Sequence, residues 1–468
     1  MSAPDGQGAA IIRPPFPSSS GIVLKNSGIQ NVIEAKVIPR PSHSVSRAEI
    51  SKSALKVLYR LHNAGFQAFL VGGSVRDALL GLHPKDFDIA TNALPEEVKA
   101  LFGNCRLIGR RFRLAHVRFG REIIEVATFR AAAGIEDDPG SVEDHEGRIL
   151  RDNVYGKIEE DVWRRDFTCN ALYYNIADFS IWDYVGGMDD IRARVVRLIG
   201  DPDKRFREDP VRMLRAIRFA AKLNFSIDHT VTQAIAAQRD LLRNMPPARL
   251  FDEFMKMFQA GFAERTFELL QEHRLFAHLF PETQEALEAD EQFFRFIKSA
   301  LNNTDRRVAS GKSVTPMFLL GVFLWAPVQQ FARELLEQEK MSESQALAIA
   351  AQELAGMQQS RVSLPRRFTA PMRDMLALQP RFEVTSGRRA LNLLEHRSFR
   401  AAYDFMLLRA ETGAADPDLA SFWTDVQTQN AERRLTSFGM SGSHEGQKKT
   451  TGRRRRPRRR RPPQAGNS

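Results

Sequence analysis

A Gly-Gly pair followed shortly by an Asp-x-Asp pair constrains this chain more than any other feature. Gly72-Gly73 follows the apolar run Ala68-Phe69-Leu70-Val71 and leads into Ser74-Val75-Arg76-Asp77. Asp86 and Asp88 then open a second β-type run, Phe87-Asp88-Ile89-Ala90. Side chains alternate faces along a strand, so the two carboxylates project from one side. Held that close they repel unless a cation lies between them, and hard oxygen ligands suit Mg²⁺. Glycines without Cβ let backbone N–H groups approach a phosphate closely. A phosphate cradle beside metal-binding carboxylates is the equipment for in-line phosphoryl transfer. Either half alone is ordinary, since Gly-Gly after a strand is usually a turn and Asp-x-Asp a solvated strand end. Their conjunction, with Arg76 and Asp77 behind the glycines, points to a nucleotide-phosphate site.

A chain of 468 residues holds two or three domains. Residues 1–40, rich in Pro, Ser, Gly and Ala, read as a disordered tail. Strand-like and helix-like runs alternate over 41–200, including a helix over 47–64 and strands at His116-Val117-Arg118-Phe119 and Ile123–Ala127. They predict an α+β head on a small mixed sheet. Ala131–Asp152 is acidic and featureless and reads as a mobile loop. From Asp201 the pattern is helical: a neck over 201–275 and a body over 276–430. Residues 431–468 read as a disordered, arginine-rich tail.

The longest apolar run, Met317–Val328, is too short to span a bilayer, and no secretory signal opens the chain. Cys105 and Cys169 are its only cysteines, which implies neither a disulfide framework nor a zinc cluster and fits a reducing cytoplasm. The net charge is +11, of which Lys448–Arg461, with two Lys, eight Arg and no acid, supplies +10. Basicity is therefore concentrated in a tail that can neutralise phosphates without regard to sequence.

Three further clusters accompany the first. Trp163-Arg164-Arg165-Asp166-Phe167-Thr168-Cys169-Asn170 packs two cations, a carboxylate and an amide together, and by itself reads as a helix start with surface ion pairs. In Arg205–Arg218, Asp209 suits an N-cap and Pro210 a first helical residue. Arg212, Arg215 and Arg218 then fall along one face, which is either solvated or a hydrogen-bonding surface for a base or phosphates. The arginines of Cys105–Arg113 either touch phosphate or line a solvated loop. Glu125 either approaches Asp86 and Asp88 or caps a sheet edge.

At these residues the chain resembles the class II nucleotidyltransferases, the family of bacterial poly(A) polymerases and tRNA CCA-adding enzymes. The motifs are Gly72–Asp77, Asp86-x-Asp88, Glu125-Val126-Ala127-Thr128-Phe129-Arg130, Arg164–Asn170 and Glu208-Asp209-Pro210-Val211-Arg212, in family order across roughly residues 40–430. Leu101–Val117, Leu394–Asp404 and the arginine-rich tail resemble the polymerase branch. Ser74 and Cys169 stand where close relatives often carry Gly and Ile, and neither change removes a charge.

The resemblance implies template-independent addition of AMP from ATP to single-stranded RNA 3′ ends, with little sequence preference, in RNA processing and decay. CCA addition to tRNA, or an inactive RNA-binding protein, are the alternatives. It implies Asp86 and Asp88 as Mg²⁺ ligands and Asp166 as a third catalytic acid. Gly72, Gly73 and Arg76 would hold the triphosphate, with Asp77, Arg164, Arg165 and Asn170 around the nucleotide. Asp209 and Arg212 would read the base edge, with Arg215 and Arg218 near the phosphates. A cytoplasmic monomer is expected, with no membrane association and with RNA-decay proteins met through the tails.

Overall fold

The computed structural model describes residues 34–109, 113–131, 141–143, 149–152 and 154–440. Its strands in chain order are β1 (Lys36–Ile38), β2 (Ala68–Val71), β3 (Asp88–Thr91), β4 (Cys105–Ile108), β5 (Leu114–Phe119), β6 (Glu122–Thr128), β7 (Ser141–Glu143), β8 (Ile149–Asp152), β9 (Leu172–Asn175) and β10 (Ile181–Asp183). Eight of them form one mixed sheet in the order β1-β10-β9-β2-β3-β6-β5-β4. The α+β head is therefore as the sequence implies. β3 and β6 run parallel, while β2 pairs antiparallel with both β3 and β9.

β2 explains how the head is layered. Its alternate residues serve two cores, because both sheet faces are covered. Leu70 joins Val57, Leu58 and Leu61 of helix α1 (Lys52–Asn63). Helices α2 (Gly73–Leu79) and α3 (Pro95–Leu101) follow α1 in the chain. Phe69 and Val71 instead meet Ile158 and Val162 of α4 (Ile158–Arg164). Val71 is in register with Asp88, so Asp88 lies on the α4 face.

After α5 (Gly187–Ala193), the parallel pair β11 (Val195–Val196) and β12 (Ser226–Ile227) joins head to neck. The neck comprises α6 (Pro202–Glu208), α7 (Val211–Leu223), α8 (His229–Gln238) and α9 (Pro247–Phe258). The body opens with α10 (Ala263–Glu272), α11 (Phe276–Leu279), α12 (Pro281–Ala289), α13 (Glu291–Ala309) and α14 (Pro316–Gln338). Phe323 of α14 is a hub, with ring centroids 5.2 Å from Phe258 and Phe280 and 5.5 Å from Phe276. Neck and body share this cluster, so the expected division at 275/276 cuts through continuous packing. No helix among the described residues is long and apolar enough to cross a membrane.

Other expectations need correction. Within 131–152, expected as a featureless loop, β7 and β8 pair as an antiparallel hairpin. The β-branched Val142 and Ile149 were the signal, diluted by the acidic residues between them. The folded chain continues past 430: a helix spans Ala431–Ser437, and Phe438 is buried against Phe422 and Trp423, each 5.9 Å away. The fold also begins before residue 41, since β1 pairs with β10. The stretch 1–33, Arg110, Arg111 and the arginine run 448–461 lie outside the described residues.

Candidate active site

β2 ends where the chain must turn sharply into α2. Gly72 makes that turn at φ 73° and ψ −139°, a conformation open to glycine and costly to other residues. A Cβ there would stand 3.7 Å from Asp88 Oδ2, so the turn lies directly against the carboxylate. β3 begins only at Asp88, and Asp86 sits in the segment before it. Strand alternation therefore does not place the acidic pair, yet both residues line the same cleft.

Asp88 is in register with Glu125 on the neighbouring parallel strand β6. Glu125 sits inside the sheet between β3 and β5 and so caps no edge. Asp88 is exposed to the cleft, with protein crowding one side of its carboxyl. That partial burial, with the charges of Glu125 and Asp86 outweighing the relief from Arg165, pushes its pKa up to about 6. The charge here is only partly compensated.

Asp166 has the opposite environment. Burial would raise its pKa, but Arg215 wins and holds the carboxyl below its usual range. Arg215 donates from Nε to Asp166 Oδ2 at 2.8 Å and makes a second bond to the same oxygen. The Phe167 N–H donates to Oδ1 at 2.8 Å. Asp166 is thus fixed to the neck helix α7.

Arg76 is 2% exposed, and its guanidinium is engaged within the protein. It donates from Nε to Asp77 Oδ1 at 2.8 Å and also to Asn170 Oδ1. Lys222 of α7 reaches Asp77 Oδ2 at 3.3 Å. In this arrangement Arg76 shapes the cleft through Asp77 and Asn170. Arg165 is similarly committed, donating to the Tyr173 hydroxyl at 2.7 Å and to Asp161 at 3.1 Å. Arg164 donates to the Ala131 carbonyl at the end of α4, so the segment is a helix end and not the helix start expected.

The neck supplies a hydrogen-bonded clasp. Arg205 donates to Glu208 at 2.7 Å and to the Arg165 carbonyl at 2.7 Å. Arg212 donates to the Arg205 carbonyl at 2.7 Å and to Glu208 at 3.0 Å. Asp209 accepts from Arg249 of α9 at 2.9 Å. The N-cap of α7 is Pro210, one residue later than expected, because Asp209 is drawn towards Arg249 while still accepting from the Val211 N–H at 3.3 Å. Arg218 pairs with buried Glu253 at 3.0 Å.

The arginine stripe is therefore neither solvated nor free. Each of its members is held by an acid or a carbonyl. Sequence reasoning passed over Glu208 as a ligand of Arg212, and over Arg249 and Glu253 entirely. Glu253 did leave a signal, as an acid on the apolar face of α9 between Leu250, Phe254 and Met257.

These walls enclose a cleft of about 1420 Å³ between head and neck. Every expected nucleotide and metal residue from Gly72 to Arg218 lines it, and Lys85, Lys204 and Lys256 join them. Glu125 lies one strand away from the acidic pair.

An acidic pair under a Gly-Gly turn, facing an arginine-bearing neck, defines a nucleotidyltransferase. The sequence matches the poly A polymerase head domain over residues 68–197. It also matches the family's probable RNA and SrmB-binding site over 224–287 and its arginine-rich C-terminus over 339–462. It is 48% identical to poly(A) polymerase I of Escherichia coli O157:H7 over 400 residues, 84% of this chain and 86% of that one. It is 44% identical to poly(A) polymerase I of Haemophilus influenzae over 406 residues, 86% of this chain and 90% of the relative. A CCA-adding enzyme of Lactobacillus helveticus is 39% identical over 222 residues, 47% of this chain and 53% of its own. Among solved structures, the CCA-adding enzyme of Bacillus stearothermophilus in complex with CTP superposes with a TM-score of 0.54 at 27% identity, covering 83% of this chain and 82% of that one. The chain belongs to the poly(A) polymerase family.

Proposed function

We propose that the chain adds AMP from ATP to RNA 3′ ends without a template, and that the cleft between head and neck is where it does so. The observation that carries this reading is the pairing within one cleft of Asp88, whose charge is only partly offset, and the Arg205–Glu208–Arg212 clasp. Similarity to poly(A) polymerases runs along most of the chain, whereas that to the CCA-adding enzyme of Lactobacillus helveticus covers about half, which favours tailing over CCA addition.

The residues at Asp86 and Asp88 fit a hard divalent cation, being oxygen donors on one cleft where burial, Glu125 and, least, Asp86 raise the pKa of Asp88. Mg²⁺ needs few protein carboxylates, because it keeps positions for water and substrate phosphate. Bound there, Mg²⁺ supplies a Lewis acid beside the α-phosphate.

The Gly72-Gly73 turn leaves room for the triphosphate, and Lys85 and Lys204 offset its charge. Asp166, kept ionised by Arg215, presents a fixed carboxylate to the nucleotide. Glu125, the carboxylate in register with Asp88, makes the cation site more negative. Asp209 offers an acceptor and Arg212 a donor, the combination an adenine edge requires. The RNA 3′-hydroxyl attacks the α-phosphorus, one ester bond forms, and the bond to the β-phosphate breaks. Pyrophosphate leaves with the electron pair, and the hydroxyl proton passes to solvent. A cytoplasmic monomer acting on cellular RNA fits this reading.

Primer extension on a short unstructured RNA, with Mg²⁺ and each nucleotide supplied singly, tests it. A long ladder with ATP alone is expected. Addition that stops after C, C and A on tRNA-like ends would instead favour the CCA-adding reading.

A further inference from the structure

Four tryptophans occur in the chain, and three are used by the fold. Trp182 packs on Phe69 with ring centroids 5.1 Å apart and donates to Ser180 Oγ at 3.0 Å. Trp325 meets Phe405 at 5.2 Å and carries the Arg409 guanidinium at 5.1 Å. Trp423 packs on Phe382 at 5.3 Å and donates to its carbonyl at 2.8 Å. Trp163 differs. It is 37% exposed, and among the described residues its indole has no hydrogen bond and its ring no aromatic or cationic neighbour.

Helix geometry explains where it goes. Ile158 and Val162 seat α4 on the Asp88 face of the sheet, against Phe69, Val71 and Ala90. Each helical residue advances about 100° around the axis, so Trp163 turns off that face. It lines the cleft beside Arg164, three residues before Asp166. Phe219, another ring of the cleft, is already occupied: Arg218 lies 4.5 Å from its centroid, and Arg76 and Arg215 each 5.4 Å.

An indole that is 37% exposed at the wall of a charged cleft offers a rigid, flat surface on which any base can stack. Under the proposed function, which this inference rests on, Asp209 and Arg212 meet the incoming base, and the acceptor strand has no ring assigned to it. We infer that Trp163 stacks the base of the RNA's 3′-terminal nucleotide and so holds the 3′-hydroxyl near Asp86 and Asp88. Stacking suits that position chemically. The first acceptor base is arbitrary, and each addition replaces it, so a hydrogen-bonding reader would refuse many primers while a π-face accepts all.

The test uses the full-length protein and its Trp163→Ala and Trp163→Phe variants, with hexa-adenylate as primer. Removing a stacking ring should raise the primer KM roughly 5- to 150-fold. The KM for ATP should stay unchanged, and phenylalanine should recover most of the loss. Hexa-adenylate without ATP should quench the tryptophan fluorescence of the wild type, and the quench should vanish in Trp163→Ala although three tryptophans remain. An unchanged primer KM with the quench retained would overturn the inference. So would a raised ATP KM with normal primer use, which would assign the ring to the incoming base. Failure of the wild type to extend any primer with ATP would instead overturn the function on which the inference rests.

Discussion

Arg249 of α9 donates to Asp209 Oδ2 at 2.9 Å and thereby fixes the carboxylate next to Arg212 from a second helix of the neck. The pair is partly solvated, so its own contribution to stability is small, about 1 kcal/mol or less. Its consequence is geometric. A carboxylate free to rotate can accept from more than one base edge, whereas a tethered one presents a single pattern. Arg249→Ala should relax the preference for ATP over CTP about fivefold while changing the melting temperature little. Single-turnover incorporation of each nucleotide measures this, and an unchanged ratio would make the tether incidental.

Asp86→Ala and Asp88→Ala should each reduce AMP incorporation to below a few per cent of wild type. RNA binding should persist, because the basic cleft walls and the chain's arginine-rich end do not depend on metal. Filter binding alongside primer extension separates the two effects. Retained incorporation in either variant would remove the metal assignment.

Asp88 also predicts a pH dependence. Its carboxyl titrates near 6 in the fold against the ordinary 3.8, so the folded state holds the proton more tightly than the unfolded chain. The associated stability is fully present below the ordinary value and is lost as pH rises through about 6. A divalent cation competes for the same oxygens, so its affinity should climb over that window and level above it. Thermal melting with and without Mg²⁺ across the window checks both, and Asp88→Asn should abolish the difference. A metal stabilisation that is flat with pH would contradict the assignment.

Glu253 is 5% exposed and faces Arg218 at 3.0 Å and Arg215 at 3.8 Å. Removing one member of a buried pair strands its partner's charge, which costs about 3–5 kcal/mol. Glu253→Ala should lose that much in denaturant unfolding. It should also loosen Arg215 from Asp166 and raise the KM for ATP. A loss below about 1 kcal/mol would show that water, rather than Glu253, satisfies the two arginines.

The aromatic hub at Phe323 gives a test of how neck and body are joined. Phe323→Ala should cost about 3–5 kcal/mol, since five rings close around one position and the cavity cannot collapse easily. If neck and body are one cooperative unit, unfolding should remain a single transition. Two separated transitions would restore the boundary at 275/276.

The chain order of Gly72-Gly73, Asp86-x-Asp88, Arg164–Asn170 and Glu208–Arg212 was legible without coordinates, because turn glycines, paired acids and capped arginine helices are local chemistry. So were the α+β head and the helical remainder, since periods of two and 3.6 are written in neighbouring residues. What remained illegible depended on partners distant in sequence. Asp86 escapes the strand that alternation would have given it, because β3 starts only where pairing with Val71 begins. Arg76 reads as a ligand for phosphate, yet Asn170, far along the chain, occupies it.

The sequence by itself determined which charges the protein owns and roughly which elements carry them, because composition and spacing decide local structure and available chemistry. Only the tertiary structure decided which charges are committed and which stay free. Asp166 is neutralised by Arg215, and Arg218 by Glu253, while Asp88 keeps a carboxyl whose charge Arg165 only partly offsets. The reason is physical: a charge's state depends on burial and on neighbours within a few ångströms, and folding brings those neighbours from anywhere in the chain.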